Sequence, residues 1–402
     1  MFSTSQKLCY NELLTIFSAY NPSINKYFIV TFVIISIVFR MILSKLTILN
    51  FKNIREASLV FSPKVNCFIG NNGMGKTNLL DAIYYLSFCK SHANSIDSQN
   101  MLHDTDFFML NGKYLIGDTI EEISCGLKLR HKKSFKRDKK EYEKLSEHIG
   151  LLPLVLISPD DSSLISGGSE ERRKFLDGVI SQFNNTYLTN LLNYNNALKQ
   201  RNALLKSEKP TDTYLFELLE EQMTAYGSII HEERKKFITD FTSIFQNYYK
   251  QIAGKTESIS LKYISQHFDR DIFTSLKENR KRDMILGYTS QGVHKDELEM
   301  LLGNYPIKRE GSQGQNKTYL IALKLAQFEY LKNTHGHSPI ILMDDIFDKL
   351  DSLRVKQIIE MVSGPNFGQI FITDTNREHL DNLLLQVNKE YLIFTITNGN
   401  VS

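Results

Sequence analysis

Short apolar runs separated by turn residues characterise the chain from residue 41 onward. Residues 42–49 and 57–61 predict two strands, and residues 65–69 predict a third that ends at a glycine-rich turn. Apolar residues then recur at helical spacing, which predicts a helix from about Lys76 with one buried face. That face consists of Leu79, Leu80, Ile83 and Leu86.

The middle of the chain changes to a mainly helical pattern. An apolar run at residues 151–157 ends at a Ser-Pro-Asp-Asp turn. From residue 169 to residue 250 an apolar stripe recurs among polar residues, with few glycines, as in packed helices. Strand-like runs return near Leu286. The chain from residue 41 therefore divides into three parts: 41–165, a helical segment at 166–285, and 286–402.

The first forty residues differ from the rest. Residues 27–39 carry no charge and lie between Lys26 and Arg40. A membrane helix needs about 20 apolar residues, so this run is short for one. It has the length of a signal-peptide core, but no small-residue cleavage site follows it. We therefore interpret residues 1–40 as an apolar extension from a mis-assigned start, with Met41 as initiator. A real membrane anchor is the alternative.

Composition and charge indicate a folded protein without a dominant charge. Hydrophobic residues make up 42% of the sequence and charged residues 23%, which excludes wholesale disorder. The net charge of +3 is too small to indicate nucleic-acid binding, so any basic surface has to be local. Cys9, Cys67, Cys89 and Cys125 form no CxxC pair, which argues against a zinc knuckle or a disulfide framework. A reducing cytoplasm is the expected compartment.

The segment GNNGMGKT fits the phosphate-loop pattern G-x-x-x-x-G-K-[ST]. Glycines let the backbone curl until its N–H groups point at phosphate oxygens, and the following helix adds its positive end. We predict an ATP site in which Lys76 reaches the β- and γ-phosphates and Thr77 ligates Mg²⁺. The predicted binding residues are Gly70, Asn71, Asn72, Gly73, Met74, Gly75, Lys76 and Thr77.

A later apolar run, residues 339–343, ends in two carboxylates, Asp344 and Asp345. A buried parallel strand delivers such acids to the carboxyl edge of a sheet, where ligands bind. We predict that Asp344 holds Mg²⁺, directly or through water, and that Asp345 orients an attacking water. With Lys76, these two acids are the predicted catalytic residues. Taken alone, the same pattern equally fits a strand that ends in a solvated turn.

The segment GSQGQNKT, residues 311–318, opens another helix. Its first N–H groups can bind an anion, although a plain helix cap with Ser312 as capping residue is the simpler interpretation. One chain does not need two such helix starts for one nucleotide. We therefore predict that this turn faces the ATP of a second subunit. Its predicted contact residues are Ser312, Gln313, Gly314 and Gln315.

A further apolar run at residues 369–373 ends at Asp374. A residue that senses the γ-phosphate could lie there in a nucleotide site. By itself the run indicates only the end of a strand.

Residues 128–140 form a basic run with eight Lys or Arg in thirteen positions. If they bind DNA phosphates, affinity should fall steeply with salt. Such a run is as often the solvated tip of a hairpin. No recognition-helix motif is evident, so any DNA contact is expected with the backbone. The run comprises Lys128, Arg130, Lys132, Lys133, Lys136, Arg137, Lys139 and Lys140, with Phe135 among them.

Together these motifs resemble the ATPase heads of the SMC class of ABC ATPases, and within it the RecF family of bacterial recombination-repair proteins. The resemblance covers nearly all of residues 41–402, with the motifs in one order. It extends to residues 46–54, 158–177 around the paired arginines Arg172 and Arg173, 194–206, 287–298 and 339–351.

The resemblance implies an α/β fold: an ABC-type P-loop ATPase head, in which a mixed β sheet has flanking helices, plus a helical arm subdomain. Residues 41–165 and 286–402 would form the two parts of the head, and residues 166–285 the arm. Asp374 lies in the region where transporter ATPases have a switch histidine. An aspartate cannot donate to a γ-phosphate as a histidine can, so slow hydrolysis is expected.

The sequence departs from the family pattern at several loop positions. Val293 replaces the proline, Lys295 the arginine and Glu297 the second aspartate of a P-H-R-D-D element. Ser169 stands where many relatives have proline. These changes largely preserve charge, and the resemblance stands.

The resemblance further implies an ATP-dependent homodimer that binds single- and double-stranded DNA at gaps. It would help to load RecA recombinase, with RecO and RecR as partners, in recombinational repair, replication restart and the SOS response. Such a protein is a weak DNA-dependent ATPase of the cytoplasm, with no membrane partner. The alternatives are another SMC-like ABC ATPase, a nucleotide kinase, and a membrane-anchored ABC subunit that uses residues 27–39.

Overall fold

The computed structural model of the protein describes residues 41–94, 96–207, 213–254, 257–268, 271–346, 352–364, 366–375 and 391–402. The predicted extension at residues 1–40 lies outside the described residues, as do Asp348 and Asp351 after the acidic strand. Within the described ranges, no helix combines the length and the apolar character that crossing a membrane requires.

Strands lie toward both ends of the described sequence, and helices fill most of its middle. The strands are β1 (Met41–Phe51), β2 (Ile54–Val60), β3 (Val65–Ile69), β4 (Phe107–Ile116), β5 (Thr119–Lys128), β6 (Ser134–Arg137), β7 (Lys140–Glu141), β8 (Leu154–Ile157), β9 (Ile259–Ile264), β10 (Glu297–Leu302), β11 (Tyr305–Pro306), β12 (Ile340–Asp344), β13 (Ile370–Asp374), β14 (Tyr391–Thr397) and β15 (Asn400–Val401). The helices are α1 (Lys76–Phe88), α2 (Ser162–Ser166), α3 (Ser169–Phe183), α4 (Asn185–Leu205), α5 (Thr213–Ala253), α6 (Ile272–Leu286), α7 (Ile307–Glu310), α8 (Gln313–His335) and α9 (Ser352–Val362).

One sheet is antiparallel, with strand order β2-β1-β4-β5-β6-β7. In β1 the residues alternate between buried and partly exposed, as expected for a strand with one face on a core. The register against β4 shifts between Leu43 and Lys45. This irregularity lets Leu43 and Leu46, an odd number of residues apart, both lie in the core.

A second sheet has the order β15-β14-β3-β13-β12-β8. Its pairings from β14 to β8 run parallel, and only β15 is antiparallel, so the sheet is mixed. Every residue of β3, β12 and β13 is buried, which explains their continuous apolar sequences. Since these strands are parallel, Gly70, Asp344 and Asp374 all come at the same edge of the sheet. The predicted mixed sheet with flanking helices is confirmed.

The mixed sheet separates two hydrophobic cores. Along β3, Val65, Cys67 and Ile69 face one core and Phe68 faces the other. The core on the Phe68 side also contains the antiparallel sheet and the predicted buried face of α1. The opposite core is formed with α3, α5 and α8. Helix α1 is therefore held between the two sheets, directly behind the predicted phosphate loop.

The helices α4 and α5 pack side by side in opposite directions. Arg234 Nε donates to the Tyr187 hydroxyl at 3.0 Å near one end, and Arg201 Nη2 pairs with Glu220 at 3.0 Å near the other. The third sheet, β11-β10-β9, is antiparallel and packs beside α5. Its strand β9 comes from the predicted arm and β10 from the predicted head, so the two parts share a sheet. The boundary predicted at residues 285–286 stays a prediction.

Candidate nucleotide site

The predicted phosphate loop joins β3 to α1 at the carboxyl edge of the mixed sheet. Asn71, Asn72 and Gly73 are exposed on the loop. Gly75 has a φ of 114°, a backbone conformation that side chains disfavour. A Cβ on Gly75 would also lie 2.7 Å from Asn53 Oδ1. The loop therefore requires glycine at position 75 for two reasons: the positive φ, and the lack of space for a side chain beside Asn53.

The side chain of Lys76 folds back over the phosphate loop. Its Nζ donates to the carbonyl oxygens of Gly70 at 2.6 Å and Asn71 at 3.1 Å. Burial lowers the pKa of Lys76, and nearby carboxylates oppose that shift. These carboxylates belong to Asp345, Asp344 and Asp374. The structure thus places the Lys76 ammonium at the centre of the loop, beside the predicted acids.

Thr77 and Asp344 meet at the edge of the sheet. The Thr77 hydroxyl lies 2.9 Å from Oδ2 and 3.1 Å from Oδ1 of Asp344. Thr373, at the end of β13, donates its hydroxyl to Asp344 Oδ1 at 2.7 Å. Because β13 lies between β3 and β12, it brings Thr373 next to both motifs. The two hydroxyls and the carboxylate form a group of hard oxygen donors, the type that Mg²⁺ prefers.

Asp345 follows β12 with a φ of 47°. Its backbone N–H donates to Thr373 Oγ1 at 2.9 Å, so one hydroxyl accepts from Asp345 and donates to Asp344. Asp374 is buried and pairs in register with Ile69, the residue before Gly70. The strand end predicted for a γ-phosphate sensor therefore lies directly beside the phosphate loop. The catalytic roles of these acids stay predictions.

The outer side of the phosphate loop is held through Met74. The Gly399 N–H donates to the Met74 carbonyl at 2.9 Å, and the Asn398 N–H lies 3.3 Å from Met74 Sδ. Asn53 Nδ2 donates to the same carbonyl at 3.1 Å, and Asn53 Oδ1 accepts from Asn78 at 2.7 Å. The β14–β15 turn and Asn53 thus fix the loop from two directions.

The second predicted anion site is the first turn of α8. Ser312 is its N-cap, and the Gln315 N–H donates to Ser312 Oγ at 3.2 Å. In return, the Ser312 N–H donates to Gln315 Oε1 at 2.8 Å, which completes a capping box. Ser312 and Gln313 are exposed. The helix-cap interpretation is therefore correct, and the positive end of a 23-residue helix is presented at the surface.

A polar cavity of about 170 Å³ opens beside this turn. A Cβ on Gly314 would lie 2.9 Å from Arg354 Nη1, so the guanidinium lies against the start of α8. Beside the helix end, the cavity thus contains one cation, Arg354, and one carboxylate, Glu257. The cavity is lined by Tyr249, Ala253, Glu257, Ser312, Gln315, Thr318 and Arg354.

The two predicted halves of the ATP site have separate surroundings. The hydrogen bonds of residues 70–77 reach Asn53, Asp344 and the β14–β15 turn. Those of residues 312–315 reach Glu257 and other residues of the same turn and helix. Across the described ranges, the two sets of hydrogen bonds have no partner in common. The structure brings together the phosphate loop and the acids, and it leaves residues 312–315 in a different environment.

The basic run extends from Lys128 at the end of β5, through β6, to Lys140 at the start of β7. Lys133 Nζ donates to Asp97 Oδ2 at 2.7 Å, and Arg137 pairs with Glu121 at 2.6 Å. Phe135 is only 1% exposed, so its ring packs in the core and cannot stack on a base. The hairpin alternative is therefore correct for the backbone of this segment. The exposed cations are Lys128, Arg130, Lys132, Arg137, Lys139 and Lys140.

His294 has a structural position within the element at residues 287–298. Its Nε2 lies 3.0 Å from the Thr289 carbonyl, which only accepts, so Nε2 carries the proton. The Tyr194 hydroxyl then donates to Nδ1 at 2.7 Å. Burial lowers the pKa of His294 to about 4. A neutral His294 thus anchors this element to α4, and Arg173 Nη1 anchors it to α3 by donating to the Asp296 carbonyl at 2.7 Å.

Four residues near these groups were not predicted as site residues. Thr373 directly precedes Asp374 in the apolar run at residues 369–373, and the sequence pattern marks it only as part of a strand end. Asn53 lies within a segment that resembles the family but has no recognised chemistry of its own. The other two, Glu257 and Arg354, belong to no motif, and only the fold brings them to the turn at residues 312–315.

Comparison with known sequences gives consistent matches. The family model described as RecF/RecN/SMC N terminal domain matches residues 42–170. The DNA replication and repair protein RecF of Bacteroides fragilis is 57% identical over 363 residues, which are 90% of this chain and 98% of that protein. The RecF of Parabacteroides distasonis is 58% identical over 361 residues, 90% of this chain and 99% of that protein.

Comparison with solved structures points the same way. A structure of the recombination mediator protein RecF with ATP, from the RecFOR pathway, has a TM-score of 0.82 at 28% identity. It covers 91% of this chain and 98% of that one. The Smc head domain of Pyrococcus furiosus shares the fold, with a TM-score of 0.53 at 16% identity over 90% of this chain and 95% of that one. The chain belongs to the RecF family of DNA replication and repair proteins.

Proposed function

We propose that the protein binds ATP at the carboxyl edge of its mixed sheet. The loop at residues 70–77 presents the first turn of α1, and Lys76 lies at its centre. On binding, the Lys76 ammonium exchanges the carbonyl oxygens of the loop for β- and γ-phosphate oxygens. The structural relative that contains ATP supports this assignment.

The same edge suits a magnesium ion. Thr77 Oγ1 and the Asp344 carboxylate are hard oxygen donors 2.9–3.1 Å apart, so both can ligate one ion. Thr373 orients Asp344 through the hydrogen bond at 2.7 Å. When bound, the ion supplies charge neutralisation at the β- and γ-phosphates.

The proposed active form is a head-to-tail dimer with two-fold symmetry. The observation that carries this proposal is that the hydrogen bonds of the phosphate loop and those of the first turn of α8 reach different residues. The phosphate loop would hold one side of the nucleotide, and the first turn of α8 would present the positive end of that helix to the other side. Two-fold symmetry would place the first turn of α8 of each chain against the nucleotide bound by the other chain. The dimer would then contain two equivalent nucleotide sites.

Hydrolysis in this dimer is proposed to be slow. Asp345 is the residue proposed to orient the attacking water. Asp374, at the end of β13, cannot donate to a γ-phosphate as a carboxylate, because that form only accepts hydrogen bonds. A long-lived ATP state would let the dimer persist and be released when the nucleotide is hydrolysed.

The proposed output is binding to gapped DNA with help in loading RecA, together with RecO and RecR. The structural relative, a recombination mediator protein of the RecFOR pathway, supports this proposal. The exposed cations at residues 128–140 are candidates for contact with the DNA backbone. Chromosomal DNA as partner also puts the proposed site of action in the cytoplasm.

Mass measurement in solution tests this proposal, with and without ATP and gapped DNA. We expect a monomer without ATP, a dimer with ATP and Mg²⁺, and a dimer on DNA when all are present. Lys76→Ala should stay monomeric under every condition, because it removes the charge that reaches the phosphates. A monomer that hydrolyses ATP and binds gapped DNA unaided would contradict the proposal.

A further inference from the structure

The Gln315 side chain is fixed at both ends of its amide. Its Oε1 accepts from the Ser312 N–H at 2.8 Å, and its Nε2 donates to Glu257 Oε1 at 3.2 Å. These roles cannot be exchanged, since the Ser312 N–H only donates and the carboxylate only accepts. The Ser312 N–H and Glu257 together therefore hold the amide in one orientation. The same amide holds the backbone of Ser312, the exposed N-cap residue at the helix start.

Glu257 is itself held by helix α5. The Tyr249 hydroxyl donates to Glu257 Oε2 at 2.7 Å, so the two carboxylate oxygens bind two different elements. Tyr249 is buried in the last turns of α5 and packs edge-on against Tyr319 of α8, with ring centroids 6.1 Å apart. Glu257 thus bridges the end of α5 and the first turn of α8.

Helix α5 extends from this bridge to the far end of the α4–α5 pair. Its 41 residues correspond to about 60 Å of helix. Near its other end, Glu220 is fully buried and pairs with Arg201 at 3.0 Å and Arg280 at 2.6 Å. A displacement of the α4–α6 region would therefore act on a continuous helix that ends close to Glu257.

We propose that Glu257 is a positioning residue of the shared nucleotide site, which orients Gln315 and ties the first turn of α8 to helix α5. This inference rests on the proposed function, in which the first turn of α8 faces the ATP of a second subunit. Glu257 touches neither nucleotide nor metal in this arrangement, and it acts through Gln315. A partner that displaces α5 would loosen the turn and weaken the ATP-bound dimer.

Glu257→Ala is the first test. ATP binding by the monomer should stay within about twofold of the wild type, because the phosphate loop is untouched. The ATP-dependent dimer should dissociate about tenfold more readily, the effect expected when a hydrogen bond to a charged group is removed. If ATP affinity and dimer stability fall by the same factor, the substitution damages the fold in general and the inference is contradicted. If the dimer is not weakened at all, the inference is overturned.

Two further variants separate positioning from charge and folding. Glu257→Gln keeps an oxygen that accepts from Gln315 and should restore the dimer to within about threefold of the wild type. Glu310→Ala removes an exposed carboxylate two residues before Ser312 and should leave the dimer unchanged. If Glu310→Ala weakens the dimer as much as Glu257→Ala, net charge near the turn explains the effect and the inference is wrong.

A nucleotide-free measurement keeps the inference distinct from the proposed function. Backbone hydrogen exchange at residues 312–318 should be faster in Glu257→Ala than in the wild type without ATP, because Glu257 no longer restrains Gln315, the acceptor of the Ser312 N–H. If the wild-type protein fails to dimerise with ATP, the proposed function is wrong. The hydrogen-exchange comparison still decides whether Glu257 positions the turn. Identical exchange in the two proteins would overturn the inference whatever ATP does.

Discussion

Arg172 and Glu297 form a two-point ion pair, with Nε 2.6 Å from Oε1 and Nη2 2.7 Å from Oε2. Arg172 lies near the start of α3 and Glu297 begins β10, so the pair joins a helix to the third sheet. The side chains are 13% and 29% exposed. Glu297, which stands where the family pattern has aspartate, thus holds the guanidinium with both of its carboxylate oxygens.

We expect Glu297→Ala to lower the free energy of unfolding by about 1–3 kcal/mol, the range for charge-assisted hydrogen bonds that lose one partner. Chemical denaturation measures this change. Glu299→Ala, in the same strand, is the matched control and should cost much less. Equal losses in the two variants would show that the ion pair adds nothing specific.

Ser312→Arg is predicted to separate ATP binding from dimerisation. The substitution leaves the phosphate loop unchanged, so the monomer should bind ATP with wild-type affinity. A long cation at the N-cap removes the capping box and obstructs the surface that would meet a second subunit, so no dimer should form. Light scattering with ATP measures the mass. A variant that still dimerises would remove the turn from the interface.

Asp345→Asn should preserve the local backbone and remove the charge. Asparagine tolerates the left-handed conformation that Asp345 adopts, with φ of 47°, so the N–H bond to Thr373 can persist. Without a carboxylate to orient water, hydrolysis should slow by about 100-fold or more, the scale of general-base contributions, and the ATP dimer should accumulate. Turnover at the wild-type rate would exclude Asp345 from the proposed catalytic role.

Neutralising the exposed part of the basic run tests whether it binds DNA. Replacement of Arg130, Lys132, Lys139 and Lys140 by glutamine should reduce the slope of log affinity against log salt by about 0.9 for each DNA phosphate that the protein no longer neutralises. Fluorescence anisotropy with gapped DNA at several salt concentrations measures the slope. A control variant should neutralise four exposed lysines elsewhere: Lys236, Lys250, Lys262 and Lys281. Equal slopes in the wild type and the basic-run variant would exclude the run.

Stability is predicted to fall in mild acid, partly through His148. This side chain is fully buried, its Nε2 donates to the Leu86 carbonyl at 2.7 Å, and burial lowers its pKa to about 4. Between its ordinary pKa near 6.5 and about 4, the unfolded chain binds a proton that the folded protein does not. The contribution of His148 to the free energy of unfolding should therefore fall by about 2 kcal/mol between pH 7 and pH 5.

His148→Asn should reduce that pH dependence by about the same amount, as measured by denaturation at the two pH values. If His148→Asn has the pH profile of the wild type, the buried histidine does not account for the loss of stability.

The first strands, the phosphate loop and helix α1 were predictable because each is encoded by neighbouring residues. Strand β9 was not, since its six residues lie within a mainly helical segment. Its identity depends on pairing with β10, for example Tyr263 opposite Leu298. Local spacing carries no information on such a partner, which explains why no strand was predicted within residues 166–285.

In the candidate site, too, some residues could be predicted from neighbouring sequence and others depend on contacts between distant segments. The pattern identified Lys76, Thr77 and Asp344 because strand, loop and helix follow one another. Thr373 contacts Asp344 only because β13 is inserted between β3 and β12 in the sheet. Glu257 reaches Gln315 across 58 positions of sequence, so no local motif could contain both.

The contact between the β14–β15 turn and Met74 has a consequence for how the protein is made. Asn398 is 324 positions beyond Met74, so a nascent chain exposes the phosphate loop long before its clamp has been synthesised. Strands β13 and β14, which flank β3 in the sheet, also emerge late. The strands and the turn that support the phosphate loop on one side can therefore form their contacts with it only after nearly all of the described sequence has been synthesised.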